Sequence, residues 1–318
     1  MTLIVNIKNY NVIVIKNTVK EEYDMQAIII FINLVLSIYI LVCIRRNARI
    51  KEKVITYYDD GTPPKFFITG DKHRNFQYVK DFCRDMNTRK KDVLIILGDA
   101  GFNYYEDERD DKLKSEISNL NITLFCIHGN KENRPQNVGT YGIRNFCSGK
   151  VSYEPKYPNI YFAIDGEIYN FEGKKYMVVG GAHSVDKMRC LEEHKPFWED
   201  EMPDDTIKAK VEQKLSAEGN KIYGMMTHTC PIEYLPTEMF VSTRQNADIK
   251  RKPKKSKSKN FFKPDIDRST EEWLSKLEKQ LDYKVWYCGH YHIDKEIDKI
   301  NMMYSGIRTL HSQLVDRE

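Results

Sequence analysis

An α/β fold built on a mostly parallel sheet is predicted by two features of the chain. Short apolar runs rich in β-branched residues alternate with amphipathic helical segments, and the runs break off at clusters of glycine, carboxylate, amide and imidazole groups. Such alternation makes βαβ units, whose strands present their carboxyl ends on one edge of a sheet. A third feature, an apolar stretch near the amino end with a basic cluster behind it, predicts a single transmembrane helix.

At 318 residues and 41% hydrophobic, the chain holds one large domain or two small ones with ample core. A net charge of +4 is too slight to define a nucleic-acid protein. Seven cysteines, an odd number with no C-x-x-C pair, suit neither a disulfide framework nor a structural zinc site. A reduced compartment is expected, with Cys126 and Cys288 packed as small apolar residues and Cys230 as a packed thiol.

Residues 1–26 form an amino-terminal tail in which Val12 to Ile15 is strand-like but has no evident partner. Met25 stands directly before the apolar run, so translation starting there is one expectation. Ala27 to Ile44 is interrupted only by Asn33 and Ser37 among its apolar residues. As a helix rising ~1.5 Å per residue it covers most of a ~30 Å hydrocarbon core. The competing assignment is a helix buried against the rest of the chain. Arg45, Arg46, Arg49, Lys51 and Lys53 follow, whereas Lys20 is mixed with Glu21, Glu22 and Asp24 on the other flank. The positive-inside rule then sets a single-pass anchor in the cell membrane with everything after residue 45 in the cytoplasm. Basic residues behind the run, with no small-residue cleavage site, disfavour a signal peptide. Residues 45–64 read as a linker, turn-rich from Thr56 to Pro64.

The domain is expected over 65–310, with 311–318 as a tail. Phe66-Phe67-Ile68-Thr69 reads as a buried strand that opens through Gly70 onto Asp71 and His73. A helical pattern follows through Phe76, Val79, Phe82, Cys83 and Met86, with one apolar face. Val93 to Leu97 is a second strand, ending in Gly98-Asp99. After a helix-compatible segment from Asp107 to Asn119, Ile122 to Ile127 is a third, running into His128-Gly129-Asn130. Lys221 to Thr227 ends at His228, and Val285 to Cys288 ends at Gly289-His290-Tyr291-His292. In a parallel sheet these distant ends converge.

The ordered series Asp71-x-His73, Gly98-Asp99, Gly129-Asn130, His228 and Gly289-His290-x-His292 resembles the five motifs of the calcineurin-like metallophosphoesterases. It spans about Lys65 to Leu310. Gly180 to Lys187 and Ser269 to Leu274 are similar to uncharacterised bacterial and phage members. The resemblance implies a four-layer αββα sandwich of two mixed β-sheets. It also implies two divalent ions: Asp71, His73, Asp99 and His292 at one, and bridging Asp99 with Asn130, His228 and His290 at the other. Carboxylate, amide oxygen and neutral imidazole suit Mn2+, Fe2+ or Zn2+, with no thiolate required. Two ions ~3.5 to 4 Å apart can activate a bridging hydroxide for direct attack on phosphorus. The substrate is then a phosphomonoester or phosphodiester.

One departure stands out. Lys131 occupies the place where the family usually has histidine, and an ammonium with a pKa near ~10.4 is a poor proton shuttle. Lys131 is expected to contribute charge at the phosphate. Arg74 and Arg134, beside two of the motifs, are candidates to clamp phosphate oxygens, with an ion pair as the alternative. His183, His194 and His311 read as ordinary core or surface residues, and His128 matches no ligand position.

Asn159 to Val179, with Asp165-Gly166 and Glu172-Gly173 as hairpin signals, is expected to be the antiparallel part of the second sheet. Pro203 to Leu215 reads as an exposed helix. Lys250 to Lys259 holds seven basic residues in ten and reads as a solvated loop. Contact with anionic lipid is its functional alternative, ahead of nucleic acid. Ser269 to Gln280 reads as a helix with Ser269 and Glu272 in a capping box, and short strands are expected around Ile297 and from Met302 to Ile307. Two classes of function follow: a metal-dependent phosphoester hydrolase, or a catalytically silent relative that keeps the metals as a binding module at the membrane.

Overall fold

The computed structural model describes residues 3–7, 10–14, 37, 61–237 and 266–310. The expected anchor at 27–44, the basic run at 250–259, the tail at 311–318 and His311 lie outside them, Ser37 excepted. Among the described residues no helix is long and apolar enough to cross a membrane.

The chain divides into two units, Met1–Val54 and Ile55–Glu318. In the first, β1 (Leu3–Ile7) pairs antiparallel with β2 (Tyr10–Val14), Leu3 facing Val14 and Ile7 facing Tyr10. The strand read around Val12 therefore has its partner immediately upstream, where isoleucine, valine and leucine also predominate.

The second unit is built from β3 (Phe66–Thr69), α1 (Gln77–Asp85), β4 (Val93–Ile96), α2 (Glu108–Ile117), β5 (Thr123–Cys126), β6 (Gly142–Phe146), β7 (Gly149–Tyr153) and β8 (Ile160–Ala163). It continues with β9 (Ile168–Phe171), β10 (Lys174–Val179), α3 (Lys187–Glu192), α4 (Asp205–Ala217), β11 (Gly224–Thr227), α5 (Ser269–Glu278), β12 (Val285–Cys288), β13 (Lys295–Ile297), β14 (Ile300–Met302) and β15 (Arg308–Thr309). One sheet runs β15-β3-β4-β5-β8-β7-β6 and the other β13-β14-β12-β11-β10-β9. Each is mixed. Strands β3, β4, β5 and β8 are mutually parallel, as are β10, β11, β12 and β14, with antiparallel strands at the margins.

Period-two side-chain alternation sorts the apolar residues into three cores. Phe66, Ile68, Ile95 and Phe125 face Phe171, Val178, Met226 and Tyr287 between the sheets. Phe67, Leu94 and Ile96 face outward onto Val79 and Cys83 of α1 and Ile117 of α2. Met177, Met225 and Trp286 face outward onto Val211 and Leu215 of α4 and Trp273, Leu274 and Leu277 of α5. The layers are helix, sheet, sheet, helix. Cys126, Cys230 and Cys288 are fully buried as expected, and burial pushes the Cys126 and Cys288 thiols well up.

Several local expectations are corrected. β8 joins the first sheet parallel to β5, because Ile160 to Ala163 is buried throughout rather than alternating. Only Glu172-Gly173, with φ of 53° and 80°, closes a hairpin, between β9 and β10; Asp165-Gly166 carries the chain from one sheet to the other. The β6–β7 hairpin turns at Cys147-Ser148, both with positive φ, a pair with no turn signature in its sequence. Helix α4 is not fully exposed, since Val211 and Leu215 are buried on the sheet. Met86 caps α1 and is 49% exposed. Ser269 does not cap α5: Arg268 holds that position, and the Ser269 N–H donates to Asp267 Oδ1 at 2.8 Å. Residues 303–307 are not strand.

Candidate metal centre

Strands β3, β4, β5, β10, β11 and β12 release the chain on one edge, and their loops are stitched together by backbone hydrogen bonds. His73 N–H donates to Asp99 O at 2.7 Å, Gly289 N–H to His228 O at 3.0 Å, and Gly181 N–H to His128 O at 2.8 Å. Close approach explains two of the glycines. A Cβ at Gly129 would lie 1.9 Å from Asp99 Oδ1, and one at Gly289 would lie 2.4 Å from Asp71 Oδ1. Conformational strain gathers here too: His73, Asp99, His290 and His292 have φ of 43°, 49°, 68° and 53°, in the left-handed region that side-chain-bearing residues seldom adopt.

All seven residues expected at the metals are brought together. His228 Nδ1 lies 2.7 Å from the Leu97 carbonyl, which makes it the protonated nitrogen, so Nε2 carries the lone pair. That lone pair looks at Asn130 Oδ1, 2.9 Å away, and at Asp99 Oδ2, 3.7 Å away. His290 Nδ1 lies 3.1 Å from the same Asn130 oxygen. On the other side His73 Nε2 and His292 Nε2 stand 2.8 Å apart, and Asp71 Oδ2 is 3.6 Å from the first and 3.2 Å from the second. Asp71 Oδ2 is buried without a hydrogen-bond partner. Asp99 Oδ2 spans the two halves, 3.8 Å from His73 Nδ1. Two sets of ligand atoms lie within 4.8 Å of one another among the described residues: Asp71, His73 and His292, and Asp71, Asp99 and His228.

Electron-pair donors that converge without enough hydrogen-bond donors between them suit a cation. Asp71, Asp99, Asn130 and His228 are all at most 3% exposed, while the His73 and His292 side chains are 38% and 46% exposed, so the site opens to solvent on that side. Burial raises the Asp71 carboxyl, but His292, His228 and the His290 N–H outweigh it and hold it down at about 2. Burial and the Asp71 charge push Asp99 upward. Burial and His228 depress His290 to about 3, so its imidazole is neutral at physiological pH.

Lys131 is placed beside the site but is engaged. Its N–H donates to Asp99 Oδ1 at 2.7 Å, and its ammonium pairs with Asp186 and lies 3.9 Å from Cys190 Sγ. Arg74 and Arg134, candidates for the phosphate with an ion pair as the alternative, are both ion-paired. Arg74 pairs with buried Asp110, donates to Gly101 O at 2.7 Å and stacks on Tyr105. Arg134 is itself buried, donating to Asp165 Oδ2 at 2.5 Å and to Asp200 O at 2.7 Å. Nearby carboxylates, scattered in sequence, captured both guanidinium groups.

Three residues with a part in the site escaped the sequence reading. Glu132, fully buried, accepts the N–H groups of Gly101, Phe102 and Gly129 at 2.8, 3.3 and 3.3 Å and so ties two loops together; burial and Asp99 push its carboxyl up to about 8. Its signal was its place two residues after Asn130. Tyr304 stacks on the His292 ring at 4.7 Å, with no local signal. Ser184 accepts from Asn130 Nδ2 at 2.7 Å. His128 is buried, its Nε2 2.9 Å from Glu132 O, and His183 and His194 lie outside the ligand sets.

The model of the calcineurin-like phosphoesterases matches residues 64–294, and the chain belongs to that family. The family uses divalent metal ions and hydrolyses phosphate esters. No curated protein matches the chain. One solved structure, covering 76% of this chain and 90% of its own length, is 15% identical with a TM-score of 0.40.

Proposed function

We propose that the chain is a dinuclear metal-dependent phosphoesterase acting on a phosphomonoester or phosphodiester. The observation that carries this reading is the pair of facing acceptor sets, His228 Nε2 against Asn130 Oδ1 at 2.9 Å and His73 Nε2 against His292 Nε2 at 2.8 Å, each with a buried carboxylate beside it. One ion would be held by Asp71, His73, Asp99 and His292, and the other by Asp99, Asn130, His228 and His290. When bound, the ions supply Lewis-acid polarisation of the phosphoryl oxygens and a nucleophile at neutral pH. The chain's own residues hold and orient that centre. The Leu97 carbonyl fixes the His228 tautomer, the His290 N–H fixes Asp71 at 2.9 Å, and the Lys131 N–H fixes Asp99. Lys131 stands next to the site paired with Asp186, where an ammonium takes the place of an imidazole that could protonate a leaving oxygen.

Turnover of p-nitrophenyl phosphate and bis-(p-nitrophenyl) phosphate by the purified chain with added Mn2+ tests the reading. Metal-dependent hydrolysis of either, abolished by chelation and by Asp99→Asn, is expected. A second reading, a silent relative that holds ions as a binding module, is favoured by one observation: Lys131, Arg74 and Arg134 are each paired with a carboxylate. Uptake of two ions without turnover of either ester selects it. The membrane anchor at 27–44 and lipid contact through 250–259 are proposed on the sequence alone, as is the cytoplasmic placement of the site.

A further inference from the structure

The stretch Gly180 to Lys187 has no part in the ligand series, yet it lies against the two residues that follow Gly129. Ser184, 1% exposed, takes the Asn130 Nδ2 hydrogen on its Oγ at 2.7 Å. Its own N–H donates to Oε1 of Glu201 at 3.1 Å, and Glu201 is 2% exposed. Glu201 also accepts the Ala182 N–H on its backbone carbonyl at 3.2 Å. Two residues on, Asp186 pairs with the Lys131 ammonium and holds Arg189 at 3.0 Å. The segment is thereby tied to the metal loop from behind.

An asparagine side chain is a ligand only through its oxygen, and its two ends have nearly the same shape. In a buried site the choice between them is made by what the nitrogen can donate to. Here the oxygen faces His228 Nε2 at 2.9 Å and His290 Nδ1 at 3.1 Å, and Ser184 Oγ is the acceptor for the nitrogen. We propose that Ser184, held by Glu201, is the positioning residue that turns the Asn130 amide oxygen toward the cation shared with His228 and His290. The inference rests on the reading of these three residues as ligands.

The test is calorimetric titration of the metal-stripped full chain with Mn2+, with bound metal counted by elemental analysis. Wild type is expected to take up two ions. Ser184→Ala is expected to weaken one of them by about 10–100-fold, the usual effect of removing a ligand's supporting partner, and to leave the other unchanged. Ser184→Thr, which keeps a hydroxyl, restores the affinity. Replacing Asn130 by aspartate removes the choice of end, so Ser184→Ala costs nothing further in an Asn130→Asp background. That background separates orientation from general packing and keeps the test decisive if the single variant folds poorly. Wild type and Ser184→Ala binding two ions equally well would overturn the Ser184 assignment alone, as would an equal loss in the aspartate background. A wild-type chain that takes up no ion overturns the ligand reading and the assignment with it.

Discussion

The Nε2 atoms of His73 and His292 stand 2.8 Å apart above the buried Asp71 carboxylate, whose Oδ2 has no hydrogen-bond partner. Two neutral imidazoles can approach nitrogen to nitrogen only if one donates a proton or both address a cation. Asp71→Asn keeps the shape and removes the charge. It is expected to lower metal content from two ions to one and turnover by more than about 100-fold. Unchanged metal content by elemental analysis would remove Asp71 from the ligand set.

Gly129 passes so close to Asp99 that a methyl group would sit 1.9 Å from Oδ1. Gly129→Ala must displace either the loop or the carboxylate. The expected result is a loss of about 1–3 kcal/mol in denaturant unfolding, from overpacking, together with weaker metal binding. Full affinity with unchanged stability would show that the approach is looser than described.

Arg134 and Asp165 form a buried pair, with side chains 4% and 6% exposed. Arg134→Met leaves Asp165 charged and uncompensated, at an expected cost of about 3–5 kcal/mol. Adding Asp165→Asn should recover part of that loss. A phosphate clamp behaves differently: its removal raises KM and leaves the urea midpoint in place. Measuring both quantities on the same variants decides between these roles.

Burial, aided by the charge of Arg134, holds the His128 imidazole well below its ordinary value of 6.5. The unfolded chain therefore binds the extra proton first as the solution is acidified. The stability this group contributes is complete above pH 6.5 and falls with decreasing pH, by up to about 1.4 kcal/mol per unit. The metal-free chain should lose melting temperature on going from pH 7 to pH 5, more steeply than His128→Gln under the same conditions. Equal slopes would refute this account.

The strands were legible because β3, β4, β5 and β12 are mostly apolar, buried throughout and followed closely by glycine or polar residues, and the candidate ligands because their order and spacing survive in one dimension. Less legible were features whose cause lies outside the local sequence. The β6–β7 turn uses Cys147-Ser148, which no turn rule selects. Strand β8 has the composition of either sheet, and only its pairing with β5, 34 or more residues back in the chain, assigns it to the first. The fates of Arg74 and Arg134 depended on Asp110 and Asp165, 36 and 31 residues away.

By itself, the sequence determined that strand ends would carry carboxylates, amides and imidazoles to one edge, since periodicity and glycine breaks act over a few residues. The tertiary structure alone decided which atom of each side chain faces the centre, which cations are neutralised, and that Ser184 stands behind Asn130. Those outcomes depend on distances of about 3 Å between residues far apart in the chain, where hydrogen bonding and ion pairing take effect.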